Sequence, residues 1–264
     1  MNNWETIKMG DSKLVMHCGS KKATWDDILK IETPEPEGRW MPVPHARVVE
    51  EVVEHLDRAG LQVTESAYAL DNGGQRFFSL LGLDVKGGDG EYQLVVGARN
   101  SHDKTFPISM AVGSRVFVCD NLAFSSEIQV TRRHTKNVMD DFPRLIATAC
   151  GRIKGSAEDQ ERRFAHYRDV NLSDTMVHDI LVQSLDIKAI GSTALPKVLQ
   201  EWREPRHEEF AKDHSAWRLW NAYTEILKEY DVMALSQRTT ALQGLMDVYT
   251  RMPVRPINVE AVAV

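Results

Sequence analysis

The segment from Glu91 to Asn137 constrains the fold most, because it holds three short runs rich in β-branched and aromatic residues. The runs are Tyr92 to Ala98, Phe106 to Val112 and Arg115 to Cys119. Gly113-Ser114 is a candidate turn between the last two. Short apolar runs separated by turn residues predict antiparallel strands.

The residues before this segment predict more of the same sheet and a helix to cover it. Between His45 and Ala59, valines and a leucine recur at helical spacing. Leu61 to Leu70 and Gln75 to Val85 predict a hairpin around the turn Asp71–Gly74. We therefore expect an α+β fold with a meandering antiparallel sheet from about Gln62 to Cys119, covered by a helix and followed by a helical C-terminal half.

The pattern changes to helical spacing after Val138. The predicted helices are Asp140 to Cys150, Ser156 to Tyr167, one capped by Ser173 and ending near Gln183, Leu195 to Trp202, one capped by Ser215 and spanning Trp217 to Tyr230, and Gln237 to Thr250. Glycines 151 and 155 bound the break between the first two. Aromatic residues at helical spacing between 217 and 230 are interpreted as core.

Four regions are predicted along the chain. Residues 1–44 form an irregular segment with a short helix, Trp25 to Lys30, capped by Thr24, and a proline-rich connector in which Trp40 is interpreted as an anchor. Residues 45–137 hold the helix and the antiparallel sheet. Residues 138–251 form the helical part, and residues 252–264 are expected to be a loose tail.

Two polar clusters follow predicted strands, where loops often carry function. We expect them to lie side by side at one end of the sheet and to shape a site from Asn100, Ser101, His102, Asp103, Cys119, Asp120 and Asn121. Three interpretations remain open: turn formation alone, metal binding by His102, Asp103, Cys119 and Asp120, and a Cys119–His102 nucleophilic pair. The ligand spacing of a structural zinc site is absent, and we expect neither a metal nor another cofactor.

Composition limits the classes of function. The chain has 264 residues and a net charge of −6, which argues against indiscriminate binding of nucleic acid over its whole surface. Three cysteines without a spacing pattern suit a reducing compartment. The sequence predicts neither a signal peptide nor a membrane span.

Charge is nevertheless unevenly distributed. Residues 95–168 contain twelve basic and eight acidic side chains, whereas residues 1–66 contain eight basic and twelve acidic ones. The basic run at residues 131–137 lies in the positive region. Candidate phosphate-binding residues are Arg99, Lys104, Arg115, Arg132, Arg133 and Lys136.

Three motifs resemble a phage- and plasmid-borne family of unknown function: VGARNSHDK at 96–104, VFVCDN at 116–121 and WRLWNAYTEIL at 217–227. That family has an Asn-Ser-His/Tyr-Asp loop, a strand ending in Cys-x-Asn, and a Trp-x-x-x-Asn-Ala-x-Thr helix, matched here by Trp217, Asn221, Ala222 and Thr224. The resemblance spans about residues 20–250 and implies a mobile-element origin and a protein of the bacterial cytoplasm. The order of elements is also similar to that of phage single-strand-annealing recombinases, which form rings around a basic groove.

The leading hypothesis is a non-enzymatic phage or mobile-element protein that binds single-stranded nucleic acid in replication, recombination or counter-defence, with homo-oligomerisation open. Two other classes remain: a metal-dependent nuclease or hydrolase that uses His102, Asp103 and Asp120, and a protein-binding module that blocks a host defence or replication factor. A metal-dependent nuclease normally needs several converging carboxylates, and these clusters hold only two acidic residues.

Overall fold

A computed structural model describes residues 8–9, 20–87, 90, 92–116, 121–228, 230 and 232–253. Within these residues, none of the helices combines the length and the apolar character needed to cross a bilayer. The described chain forms an α+β structure: an antiparallel meander followed by a helical C-terminal half.

The sheet is built from strands β1 to β7, which are Lys8–Met9, Lys21–Ala23, Val63–Asp71, Arg76–Gly87, Tyr92–Ser101, Ile108–Val116 and Asn121–Arg132. Strands β3 to β7 pair in chain order, each antiparallel to the next. Strand β2 extends the antiparallel sheet beside β3, and the two-residue β1 pairs with β3 in parallel. This arrangement confirms the predicted meander, and it adds β7, which lies beyond the predicted end of the sheet at Cys119.

The predicted turn at Gly113-Ser114 is wrong, because both residues lie within β6. Gly113 pairs with Val95 on one side and with Phe124 on the other. Glycine weakens a strand but does not end one that has partners on both sides. Strand β6 therefore runs the full height of the sheet.

The unbroken β6 also contradicts the expectation that the two polar clusters lie side by side. Asn100 is near the end of β5, whereas Asn121 pairs with Val116 at the opposite end of the sheet. The remaining members of the second cluster, Cys119 and Asp120, lie outside the described residues.

Seven helices are described: α1 Trp25–Leu29, α2 His45–Arg58, α3 Val138–Asp169, α4 Asp174–Asp186, α5 Leu195–Arg203, α6 Ala216–Leu227 and α7 Val232–Thr250. The three predicted caps are confirmed. The side chains of Thr24, Ser173 and Ser215 accept hydrogen bonds from the main-chain nitrogens of Asp27, Met176 and Arg218.

Helix α3 is continuous over 32 residues, so the predicted break between Gly151 and Gly155 is wrong. Each glycine costs a helix about 1 kcal/mol relative to alanine. Cys150 and Ile153 are buried along this stretch, so packing of that face offsets the cost. Burial also raises the pKa of the Cys150 thiol to about 11, which makes it an inert core residue.

Helix α2 covers one face of the sheet, as predicted. Val48, Val52 and Leu56 are fully buried, and the helix contacts β3 and β5. The aromatic side of α6 is core as well, since Trp217, Trp220 and Tyr223 are at most 5% exposed. The aromatic ring of Phe164 from α3 packs against Trp217 at 4.6 Å between ring centroids.

Candidate nucleic-acid interface

Four segments meet at one end of the sheet, called here the loop end. They are the β3–β4 turn (residues 72–75), the β5–β6 loop (102–107), the β7–α3 connection (133–137) and the connector that precedes α2 (37–44). Antiparallel pairing places the first three together. The connector joins them because Trp40 forms a β-bridge with Thr135, and the main-chain nitrogen of Met41 donates to the His134 carbonyl at 3.1 Å.

Asn100 links these segments through its buried amide. Its Nδ2 donates to the Val43 carbonyl at 2.7 Å and to His45 Nδ1 at 2.9 Å, while its Oδ1 accepts from His134 Nε2 at 2.7 Å. His45 Nε2 lies 2.9 Å from the Gly74 carbonyl, so this nitrogen carries the proton. All hydrogen-bonding capacity of the amide nitrogen is thus used to fix the connector and α2 to the sheet.

His102 belongs to the same buried cluster. Its ring stacks on His45 with 3.9 Å between ring centroids, and its Nε2 donates to the Val43 carbonyl at 2.9 Å. The main-chain nitrogen of His102 donates to the Gln75 carbonyl at 2.7 Å. Nδ1 is shielded from solvent and has no hydrogen-bond partner among the described residues. The imidazole therefore links the β5–β6 loop to the connector, and its Nδ1 is buried inside the protein.

The histidines of this cluster are neutral at physiological pH. Burial lowers the pKa of His45 to about 3, with a further decrease from the nearby His102. Burial and the same neighbour lower the pKa of His134 to about 4. The pKa of His102 is also lowered, mainly by burial. A positive charge here would be removed from water without a carboxylate partner in the network.

Ser101 and Asp103 shape the β5–β6 loop. Ser101 Oγ donates to the Phe106 carbonyl at 2.7 Å and closes the loop. The Asp103 carboxylate accepts from Arg76 Nε at 2.7 Å, from Asn72 Nδ2 at 3.1 Å and from the Thr105 main-chain nitrogen at 3.1 Å. Burial tends to raise the pKa of Asp103, but hydrogen bonds from Thr105, Arg76 and Asn72 outweigh it and lower the pKa. The turn-forming interpretation fits these contacts.

The cations of the loop end differ in how they are engaged. Arg132 pairs with Asp141, and Lys104 pairs with Glu37. The guanidinium of the half-buried Arg99 lies over the Phe106 ring, 4.6 Å from its centroid. Arg133 and Lys136, by contrast, are exposed, and the structure shows no ion pair for either within the part of the chain it describes.

The structure does not bring Arg115 to this surface. The residue is 7% exposed, and its guanidinium donates to Glu65 Oε2 at 2.7 Å and to Gln93 Oε1 at 2.9 Å. Arg115 pairs with Leu122 in the half of the sheet away from the loop end. It is therefore a buried structural cation.

Two residues beside this surface, Arg39 and Trp40, were not among the predicted site residues. Arg39 is exposed and Trp40 is half-buried, and the bridge to Thr135 places both beside Arg133 and Lys136. A tryptophan within a proline-rich polar connector was the available signal, but its neighbours are almost 100 residues away in the sequence. We refer to Arg39, Lys104, Arg132, Arg133 and Lys136 as the basic surface.

A metal site would need several converging ligands. In the described ranges, histidine, cysteine and carboxylate side chains do not gather in groups of three or more that could hold a metal ion.

Comparison with known proteins gives one match. A family model described as "Domain of unknown function (DUF932)" matches residues 36–252, which include the connector, strands β3 to β7 and helices α2 to α7. Neither the curated proteins nor the solved structures contain a significant match.

Proposed function

We propose that this chain, which belongs to the DUF932 family, binds single-stranded nucleic acid through the basic surface at the loop end of its sheet. The observation that carries this proposal is the exposure of Arg133 and Lys136 on a rigidly held connection, without carboxylate partners among the described residues. Phosphates are the natural counter-charges for such cations, and their binding releases condensed counterions.

The rigidity of the connection supports the proposal. The main-chain nitrogen of Thr135 donates to the Arg133 carbonyl, and that of Val138 donates to the Thr135 carbonyl, each at 2.8 Å. His134 between them is 6% exposed and bonded to Asn100. Arg133 and Lys136 therefore project from a backbone that need not be ordered when a ligand binds, and this lowers the entropic cost of binding.

Two further cations of the basic surface can bind a phosphate in place of the carboxylate with which each is now paired. Lys104 pairs with Glu37, and Arg132 pairs with Asp141. The Glu37 side chain is 76% exposed, so the ion pair with Lys104 contributes little to stability and a phosphate oxygen can replace the carboxylate. The surface thus offers three exposed cations without an ion pair among the described residues, Arg39, Arg133 and Lys136, and two that are released by exchange.

The biological setting belongs to the same proposal. The motifs at residues 96–104, 116–121 and 217–227 resemble a phage- and plasmid-borne family. This suggests a role in replication, recombination or counter-defence in the bacterial cytoplasm, as a homo-oligomer if the likeness to annealing recombinases extends to assembly. These assignments rest on resemblance and not on geometry.

The experiment is fluorescence anisotropy of the purified protein with labelled single-stranded and double-stranded DNA and RNA, with and without Mg²⁺. We expect saturable binding to single strands that weakens steeply with salt, without cleavage. Cleavage that depends on Mg²⁺ would favour a nuclease instead. An absence of binding at low salt would contradict the proposal and favour a module that blocks a host protein.

A further inference from the structure

The segment from Glu37 to Trp40 is a tight hairpin that presents one aromatic ring. The main-chain nitrogen of Trp40 donates to the Glu37 carbonyl at 2.9 Å, and that of Glu37 donates to the Trp40 carbonyl at 3.1 Å. Gly38 at the tip has φ of +58°, a conformation that glycine adopts at little cost. Because Trp40 also bridges to Thr135, the backbone beneath the ring is held on both sides.

The ring of Trp40 is covered by a lysine ammonium group and lies near a histidine ring. Lys104 Nζ lies 4.8 Å from the ring centroid, and the Lys104 side chain is 47% exposed. The His134 ring is 6.3 Å away and tilted by 48°. The indole Nε1 is shielded from solvent. The nitrogen edge of the ring thus faces the protein interior, where Nε1 has no hydrogen-bond acceptor among the described residues, and the Lys104 ammonium group lies over one face of the ring.

Glu37 holds that ammonium group in place. It pairs with Lys104, and the ion pair with Lys104 lowers the pKa of the Glu37 carboxyl. Ammonium over an exposed ring is a weak contact, and an exposed ion pair is weak as well. Stacking of a nucleobase on tryptophan is stronger than either, and it tolerates every base because every base has a π face.

We infer that Trp40 is the stacking platform for one unpaired nucleobase, which replaces the Lys104 ammonium over the ring. This inference rests on the proposed function. In the bound state, Lys104 turns to a phosphate beside the stacked base, and Glu37 is released to solvent. A base within a duplex is already stacked on both sides, so Trp40 gives the basic surface its preference for single strands.

The ion pair between Glu37 and Lys104 competes with phosphate and so lowers the affinity for the strand. Its carboxylate occupies the position on Lys104 that a phosphate oxygen takes in the complex. Removal of its charge should therefore strengthen binding, because Lys104 is then free before the strand arrives.

The test compares the wild type with Trp40→Ala, Trp40→Phe and Glu37→Gln, using oligo(dT) and inorganic polyphosphate as ligands. Polyphosphate offers the same charges without bases. Trp40→Ala should weaken oligo(dT) binding by roughly 5- to 150-fold, leave its salt dependence unchanged and leave polyphosphate binding unchanged. Trp40→Phe should restore most of the affinity, and Glu37→Gln should increase it for both ligands.

Trp25→Phe is the matched control, because Trp25 is also half-buried and its ring packs on Tyr68, in the middle of β3. It should bind oligo(dT) like the wild type. Melting curves of all variants test whether they fold. If Trp40→Ala does not fold, Trp40→Phe takes its place in a fluorescence measurement. Oligo(dT) should quench the tryptophan fluorescence of the wild type more than that of Trp40→Phe.

Three results would overturn the inference, and they are distinguishable from one another. If the wild type binds oligo(dT) and a folded Trp40→Ala binds it equally well, stacking is refuted while the phosphate-binding function stands. If Trp40→Ala does not fold, equal fluorescence quenching of the wild type and Trp40→Phe refutes stacking. If the wild type binds neither oligo(dT) nor polyphosphate, the proposed function fails and the inference fails with it.

Discussion

At the scale of single residues, Asn100 is the side chain on which the loop end depends most. Its amide bonds to the Val43 carbonyl, to His45 and to His134, and the residue is completely buried. The sequence singled out Asn100 as site-shaping, but its three partners lie between 34 and 57 residues away. A sequence pattern can identify an unusual polar residue, and only the fold reveals which groups it satisfies.

Replacement of Asn100 by alanine should lower the free energy of unfolding by about 3 kcal/mol or more, because it removes three hydrogen bonds and leaves buried partners unpaired. Urea unfolding of the variant measures this loss. The control is Asn137→Ala, since Asn137 is exposed and its side chain makes no capping bond to α3, and its effect should stay within about 0.5 kcal/mol. Equal stabilities of the two variants would show that the network does not stabilise the fold.

The neutral histidines predict a dependence of stability on pH. In the unfolded chain they titrate near their ordinary pKa of about 6.5, whereas in the folded chain the pKa is about 3 for His45 and about 4 for His134. Above pH ~6.5 neither state is protonated, so these residues have no effect there. As the pH falls from there towards ~4, the unfolded chain takes up protons that the folded chain refuses, and each histidine costs about 1.4 kcal/mol per pH unit.

Melting temperatures between pH 7 and pH 4.5 check this expectation. Other groups also titrate in this range, so the informative quantity is the difference between the wild type and His45→Gln. The variant should be less stable at pH 7 and should lose stability less steeply on acidification. Parallel curves for the two proteins would contradict a neutral, buried His45.

At the scale of elements, local sequence predicted helix starts and hairpins well. The length of β6 and the continuity of α3 depend on contacts with residues distant in the sequence. Ser173 and Ser215 cap the predicted helices because a cap needs only its neighbouring residues. Gly113 was misinterpreted because its role depends on partners in two other strands. Helix α3 passes through Gly151 because its buried face has surfaces to pack on, which the local sequence does not contain.

Arg115 was assigned to the phosphate surface from the charge of its sequence region, and its structural role can be separated experimentally from the proposed role of Arg133. Arg115→Met should cost about 2 kcal/mol of stability, since it leaves Gln93 and Glu65 without their cation, and it should not change the salt dependence of oligonucleotide binding. Arg133→Met should do the reverse: stability within about 0.5 kcal/mol of the wild type, and a salt slope flatter by about 0.7. Urea unfolding and salt titrations of both variants would show the reverse pattern if these positions were misassigned.

At the scale of the whole molecule, an acidic chain with a net charge of −6 exposes Arg133 and Lys136 at the loop end, and neither forms an ion pair with another described residue. If the chain binds nucleic acid as proposed, we expect its overall charge to repel the strand from most of the surface and to favour approach at that end. Helix α3 offers an internal comparison. Arg152 and Lys154 on this helix are also exposed, but the Lys154 ammonium lies beside Gly60, which follows the C-terminal end of α2, away from the loop end.

The most direct test of the central claim is therefore a salt titration of single-stranded oligonucleotide binding by three proteins: the wild type, Arg133→Ala with Lys136→Ala, and Arg152→Ala with Lys154→Ala. Both double variants lose the same charge, so an effect of net charge alone would be equal in the two. Because each phosphate contact contributes about −0.7 to the slope of log K against log salt, removal of Arg133 and Lys136 should flatten the slope by about 1.4, and the α3 pair should leave it near the wild-type value. Equal slopes for the two double variants would contradict the account and leave Arg133 and Lys136 as solvated surface residues.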